Sequence, residues 1–312
     1  MVHVSAVSIG IMVAISIATP AFCQERTDSS APVSENVEYE AAIPMSPSGA
    51  TTTVTPSTVP QAMDRLNDRG TDADFSLGTS YAHGKFGTSS NTEIWSSAIA
   101  GRLRLNNWEF SASLPWMRIR SRSTIFTGVD ATPVLVAPNT SLTQKTSQGF
   151  GDLTLGTSYT IAPKGSSFEV ELAGRAKLNT ATSSSGLSSG ANDYALASEV
   201  SLALGRFTPF AAASYRFLGD TVAYRLRDGP AASAGASYEV SPQSFVLISY
   251  HYSRAATFLV DDAHEMFAGI STRVAQSRLR LTGFATAGLS HGAPATSAGL
   301  AISLGIKSRK DR

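Results

Sequence analysis

Cysteine is almost missing from this chain: there is one, Cys23, and it falls at the end of an apolar leader. With the leader removed no thiol remains, which excludes disulfide scaffolds, zinc–cysteine centres and thiol nucleophiles together. Long apolar runs are missing too. Beyond the leader no stretch reaches the roughly 18 consecutive apolar residues of a membrane-spanning helix, so a helical membrane protein is excluded. Nor does one sign of charge prevail: 25 Lys and Arg stand against 24 Asp and Glu, scattered along the chain. There is no basic block or Arg–aromatic cluster of the kind that holds a phosphate backbone, and nucleic acid is not an expected partner. His83, His264 and His291 sit near predicted loops without metal-ligand spacing, so no metal or cofactor is expected.

The leader, MVHVSAVSIGIMVAISIATPAFC, is apolar from Val4 and ends on Ala21-Phe22-Cys23, which reads as a signal peptide over residues 1–23 cleaved before Gln24. A lipid anchor on Cys23 is the competing reading, and bulky Phe22 opposes it. Residues 24–71 are rich in Ser, Thr, Pro and Ala without periodicity, and are expected to form a disordered periplasmic lead-in. Within it, Pro60 to Arg69 offers a turn or two of helix that would plug a barrel mouth, or a plain solvated linker.

From residue 72 to 307 the pattern changes to alternation. In Leu153–Ile161, Leu153, Leu155, Tyr159 and Ile161 share one face and Thr154, Gly156, Ser158 and Thr160 the other. In Phe168–Leu178 the face opposite Phe168, Val170, Leu172, Ala176 and Leu178 carries Glu169, Glu171, Arg175 and Lys177. This period of two is that of a strand. It recurs in twelve segments, near 73–83, 92–105, 107–120, 148–161, 167–179, 192–204, 206–218, 231–240, 244–255, 264–274, 277–289 and 296–307. The connections alternate between short (Asn106-Asn107, Gly205-Arg206) and long, the longest running from Ser121 to Gln148. An even number of strands with alternating short and long connections predicts an all-β fold, a transmembrane antiparallel up-and-down β-barrel with short periplasmic turns and longer extracellular loops. Pro115 and Pro209, each lacking a ladder donor, are expected at a bulge or a strand end.

Three stretches, SLPWMRIRS, GFGDLTLGTSYTI, and FTPFAAASYRFLGD followed by AGASYEVSPQSFVLISYHYSRA, together resemble the outer-membrane transporter family named for the MetA pathway of phenol degradation. The resemblance covers most of residues 73–307. It implies a channel in the outer membrane of a Gram-negative bacterium for small, aromatic or otherwise hydrophobic solutes. The outer-membrane lipid and the barrel assembly machinery would be its partners. Such barrels ordinarily finish on an aromatic residue, whereas here the last strand reaches Ile306 and a basic tail, 308–312, follows.

A charge facing lipid at mid-membrane costs about 2–4 kcal/mol for Arg or Lys, so the charged face must line the lumen. The lumen set comprises Arg102, Arg104, Asp152, Glu169, Glu171, Arg175, Lys177, Asp193, Glu199, Arg216, Glu239, Arg273, Arg278 and Arg280. Such a set forms either a selective constriction or a web of salt bridges that seals the pore. Asp152 carries its own alternative, that Gly149-Phe150-Gly151-Asp152 only shapes a sharp entry into a strand. His251 and Ser253, two apart on one strand, open a hydrolase reading, for which no orienting partner is evident. The apolar STIFTGVDATPVLVAP core of the longest loop either tucks into the lumen or meets a hydrophobic solute; an adhesive surface barrel is the third reading.

Overall fold

The computed structural model describes residues 73–306 except 87, 130–132, 138–140, 183–184, 221–224 and 275–276. The expected signal peptide, lead-in with its plug helix, and basic tail lie outside the described residues.

The strands in chain order are β1 (Ala73–Gly84), β2 (Thr92–Leu105), β3 (Trp108–Ser121), β4 (Thr124–Thr127), β5 (Pro133–Ala137), β6 (Lys145–Phe150), β7 (Leu153–Ile161), β8 (Phe168–Leu178), β9 (Asp193–Leu202), β10 (Phe207–Phe217), β11 (Gly229–Ser241), β12 (Ser244–Ser253), β13 (Ala263–Arg273), β14 (Leu279–Gly288) and β15 (Thr296–Ile306). Each wall strand pairs antiparallel with its sequence neighbours, and β15 returns to pair with β1, from Ala73 opposite Ile306 to His83 opposite Thr296. The sheet therefore closes, and the edge problem of an open sheet disappears. β6 and β7 both pair with β3, one with its upper and one with its lower half, so together they form one stave and the wall has twelve.

The break in that stave has a local cause. Trp116 pairs with Phe150 while Ser113 pairs with Thr154, so one extra residue is accommodated between them, opposite Pro115. Pro115 has no N–H to give the ladder; its carbonyl instead accepts the Gly151 N–H at 2.9 Å. That is the bulge expected at Pro115. Pro209 behaves differently: it stays in register with Ala236 on β11, but the pairing with β9 begins only at the next residue, Phe210.

Outside, the barrel is a belt of exposed apolar side chains, Leu77, Ile99, Leu196, Ile248 and Leu300 among them, the last 67% exposed. A surface this large and apolar is covered by lipid, not water. Aromatic side chains gather at both rims: Tyr81 against Trp95 at the long-loop end, Trp108 against Tyr159 (ring centroids 4.9 Å apart) at the short-turn end. These are the two interfacial girdles of a membrane barrel.

One expectation is corrected. The stretch from Ser121 to Gln148 is not a loop throughout: β3 runs on to Ser121, β6 begins at Lys145, and between them β4 and β5 form a hairpin of their own. Its Ile125, Val134, Leu135 and Val136 are β-branched or aliphatic and all buried, which is why an apolar segment between wall strands folds as a pair instead of staying extended in water.

Candidate functional site

The hairpin is buried on both of its faces. Ile125 and Leu135 pack with Ala82, Ile94, Met117 and Ile119, inward-facing residues of β1, β2 and β3, and with Leu187, Ala255 and Val260 from other long loops. Val134 and Val136 pack with Leu218 and Ala256, with Phe126 and Leu226 beside them. It thus bridges from the β1–β3 wall to loops rooted in β10–β13, inside the long-loop mouth.

A buried ion cluster fastens it there. Lys177, 0% exposed, places its Nζ 2.9 Å from Asp193 Oδ2 and 3.3 Å from Asp152 Oδ2, both carboxylates equally buried. The ammonium also donates to the Thr127 carbonyl of β4 at 3.2 Å and to Ser189 Oγ at 3.0 Å. Each carboxylate is satisfied further: Asp152 accepts from the N–H groups of Thr180 and Ala181 and from Ser188 Oγ, and Asp193 accepts from Gly219 N–H at 2.9 Å. A charge buried this deeply persists only when paired and fully hydrogen-bonded, and this one is. Thr127 N–H closes the arrangement by donating to the Leu187 carbonyl. Gly151 lets these parts approach, because a Cβ there would meet Pro115 Cγ and Thr127 Oγ1 at 3.0 Å.

Most of the expected lumen charges occupy inward positions: Arg102 and Arg104 on β2, Glu169, Glu171, Arg175 and Lys177 on β8, Asp193 and Glu199 on β9, Arg216 on β10, Glu239 on β11, Arg273 on β13 and Arg280 on β14. Arg278 differs. It lies exposed in the β13–β14 turn, where strand alternation has ended and nothing directs it inward. Asp152 sits at the β6–β7 break, wholly committed to the Lys177 cluster. Near the short-turn end Arg102 Nε donates to Asp74 at 2.6 Å and Arg104 to Glu109 at 3.0 Å, a paired web on β1–β3.

Composition did not single out an aromatic patch on the lumen wall. Phe245, Leu247, Phe267 and Phe284 of β12–β14 form a buried cluster with Phe210 of β10 against it. Phe267 and Phe284 stack at 5.8 Å, and the Arg280 guanidinium lies 5.5 Å above Phe245. The inward face of β11 between them is small (Ser233, Gly235, Ser237), so Phe210 reaches across it. The signal was present as alternation, since these phenylalanines fall on the same parity as the charges.

The histidine–serine pair does not assemble as the hydrolase reading requires. His251 Nε2 shares a 2.8 Å hydrogen bond with Ser249 Oγ, two residues back, not with Ser253. The nearby carboxylate of Asp262 is occupied by the Ala255 N–H and the Tyr252 hydroxyl. Ser249 is itself buried.

No protein-family model matches the chain, and no curated protein matches it in sequence. Solved structures do. The barrel is similar to the COG4313 outer membrane channel from Pseudomonas putida F1, with a TM-score of 0.57 and 12% identity over 76% of this chain and 96% of that one. It is less similar to the CymD monoaromatic hydrocarbon channel (TM-score 0.46, 9% identity, 83% and 95% covered) and to the Ralstonia pickettii toluene transporter TbuX (TM-score 0.42, 11% identity, 83% and 96% covered). At these identities the first likeness carries the fold and nothing finer: the chain is a closed, twelve-stranded antiparallel barrel of the outer-membrane type.

Proposed function

We propose that this protein is an outer-membrane channel for the passive passage of small apolar solutes, aromatic ones included, with hairpin β4–β5 as its filter. The observation that carries the reading is the chemistry of the path. The mouth is crossed by a hairpin apolar on both faces, and the wall below carries the Phe210, Phe245, Phe267 and Phe284 cluster. A pore that selects ions presents rings of fixed charge at its constriction. Here the hairpin that fills the mouth is apolar, the charges beside it are bound to one another in the Lys177 cluster, and Arg102 and Arg104 near the short-turn end are paired with Asp74 and Glu109. On this reading the lumen charges brace the wall and discourage ions while the apolar surfaces admit the solute.

The similarity of the fold to a known channel supports the same reading, as does the resemblance of three stretches to the MetA-pathway transporters. The reading includes, as part of the proposal, export by the signal peptide over residues 1–23, placement in the outer membrane of a Gram-negative bacterium, and insertion by the barrel assembly machinery. The experiment is uptake and conductance of the refolded full chain in planar bilayers and liposomes, with and without residues 122–144. Low conductance with accelerated entry of an apolar probe such as toluene, and wider current steps after deletion, is the expected result. Failure of both forms to conduct or to speed entry refutes it.

A further inference from the structure

The rule that charged side chains face the lumen has a localised exception. Among the described residues, the outward positions of the twelve wall strands carry just three Asp, Glu, Lys or Arg side chains: Glu93 of β2 and Arg118 and Arg120 of β3. All three lie together. Arg120 pairs in register with Glu93, Arg118 with Trp95, and across the other edge of β3 they face Thr146 and Gln148 of β6. Chance scatter over the whole circumference would not put every outward charge on two adjacent strands at one rim.

Their height is set by their neighbours. Arg118 shares its row with Trp95, which packs on Tyr81, and the row below it pairs Trp116 with Phe150. The patch therefore begins at the aromatic girdle of the long-loop end and rises one row above it, the level of lipid headgroups. Hydrocarbon does not reach Arg120, and the barrel itself supplies little to hold either guanidinium. Arg120 Nη1 is 3.9 Å from Glu93 Oε2, too long for a charge-assisted hydrogen bond, with the two side chains 54% and 40% exposed. The Arg118 side chain is exposed and makes no hydrogen bond or ion pair among the described residues. Two guanidiniums and one loosely held carboxylate leave a net charge of +1, with most of their N–H donors free.

We propose that Arg118 and Arg120 bind a phosphate of the phosphorylated glycolipid in the outer leaflet. Its acyl chains would lie along the apolar face below, against Trp95, Trp116 and Phe150. Two arginines at alternate positions of one strand stand roughly 7 Å apart along it, a spacing at which both forks reach the oxygens of one headgroup. Arginine suits this work because its planar fork matches phosphate oxygens two at a time. The inference rests on the outer-membrane placement proposed above, but not on what the lumen carries.

The test is the number of lipid A molecules retained by the full-length refolded barrel in detergent, counted by native mass spectrometry. Wild type is compared with Arg118→Gln/Arg120→Gln and with Glu93→Gln, using bisphosphorylated and phosphate-stripped lipid A. Binding of the bisphosphorylated form is expected to weaken about 30-fold in the double variant, the sum of two cationic contacts near a membrane surface, and to strengthen in Glu93→Gln. Phosphate-stripped lipid should not distinguish the proteins. Equal retention by wild type and double variant overturns the proposal. So does displacement of the lipid by millimolar inorganic phosphate, which would make the patch a site for soluble anions. Heat-modifiable migration on gels verifies that each variant is folded. Conductance of the double variant should match wild type, since both arginines face away from the lumen. A wild type that carries no solute would sink the channel reading and leave the lipid count to stand by itself.

Discussion

Replacing Lys177 by methionine tests the architecture of the mouth directly. The change keeps the volume of the side chain nearly constant and removes its charge, leaving Asp152 and Asp193 facing each other in a buried site. Asp152 keeps three hydrogen bonds, from Thr180, Ala181 and Ser188, and Asp193 keeps one from Gly219. Removing one partner from a buried ion cluster typically costs about 3–5 kcal/mol. The wall is held by twelve ladders of its own, so this loss falls on the local structure the cluster ties together: hairpin β4–β5, the 179–192 connection and the start of the β10–β11 connection. A loss of about 3 kcal/mol raises the open population on the order of a hundredfold. Hydrogen exchange should register it as lost protection at Thr127, whose N–H is bonded to Leu187, with the β1–β15 seam unchanged. The bilayer current should grow in step. The control is Lys177→Met combined with Asp152→Asn and Asp193→Asn, which removes both signs of charge and should recover much of the loss, because the cost lies in stranding charges. Thr127 exchange unchanged in Lys177→Met, or lost equally in the triple variant, would refute the claim that this cluster latches the hairpin.

Three further outcomes are expected. Leu135→Ala, at a residue 1% exposed, should lower the stability of the mouth by about 2–5 kcal/mol and raise conductance without affecting assembly of the wall, as read by gel migration. Gly151→Ala forces a Cβ to within 3.0 Å of Pro115 and Thr127 and should cost about 1–3 kcal/mol in thermal unfolding. Asp262, in the β12–β13 connection, is pushed up by burial but held below its ordinary value overall by the Ala255 N–H, the Tyr252 hydroxyl and the charges of Arg227 and Arg254. A depressed carboxylate stabilises above its unfolded pKa of about 3.9 and loses that contribution as pH falls through the lower folded value. Proteolysis of residues 254–262 should therefore set in only below about pH 4 in wild type, and should be independent of pH in that range in Asp262→Asn.

The wall was legible because every residue in it has only two places to point, lipid or lumen, and each demands a different chemistry. The twelve expected segments match the observed strands to within a few residues at each end, β2 over the same span, Thr92–Leu105. The hairpin was not legible in the same way. Its apolar residues find partners on β1–β3, at Leu187 and Leu218, and around Ala255, places no local pattern connects to residues 124–137. Asp152 shows the same limit: a carboxylate after Gly-Phe-Gly reads equally as a turn former or a lumen charge, and only the arrival of Lys177 from β8 decides its role.

The arginines of SLPWMRIRS show why the alternation rule succeeds in the middle of the wall and reverses at its top. From Trp108 to Pro115 the strand points apolar residues outward and Glu109, Ser111 and Ser113 inward, as a lipid exterior and a polar lumen require. Two residues later the pattern inverts without any change of parity. Met117 and Ile119, fully buried, point inward, and Arg118 and Arg120 point outward. Both changes have one physical origin, since each face is matched to what covers it. Inside, the apolar hairpin has replaced the polar lumen, so the wall opposite must be apolar; outside, hydrocarbon has given way to headgroups, so charge is favourable there. Ile94 on β2 inverts at the same height, inward and buried, while Glu93 beside it points out. A single segment therefore records both the depth to which the hairpin descends and the level at which the bilayer ends. Moving Arg118 one row down, by exchanging it with Trp116, puts a guanidinium below the row of Tyr81 and Trp95 and leaves an indole in its place in that row. That exchange should cost about 1–3 kcal/mol in folding stability measured in lipid vesicles and nothing comparable in detergent. An equal cost in both would mean that the inversion at the top of β3 is set by packing within the barrel and not by the membrane around it.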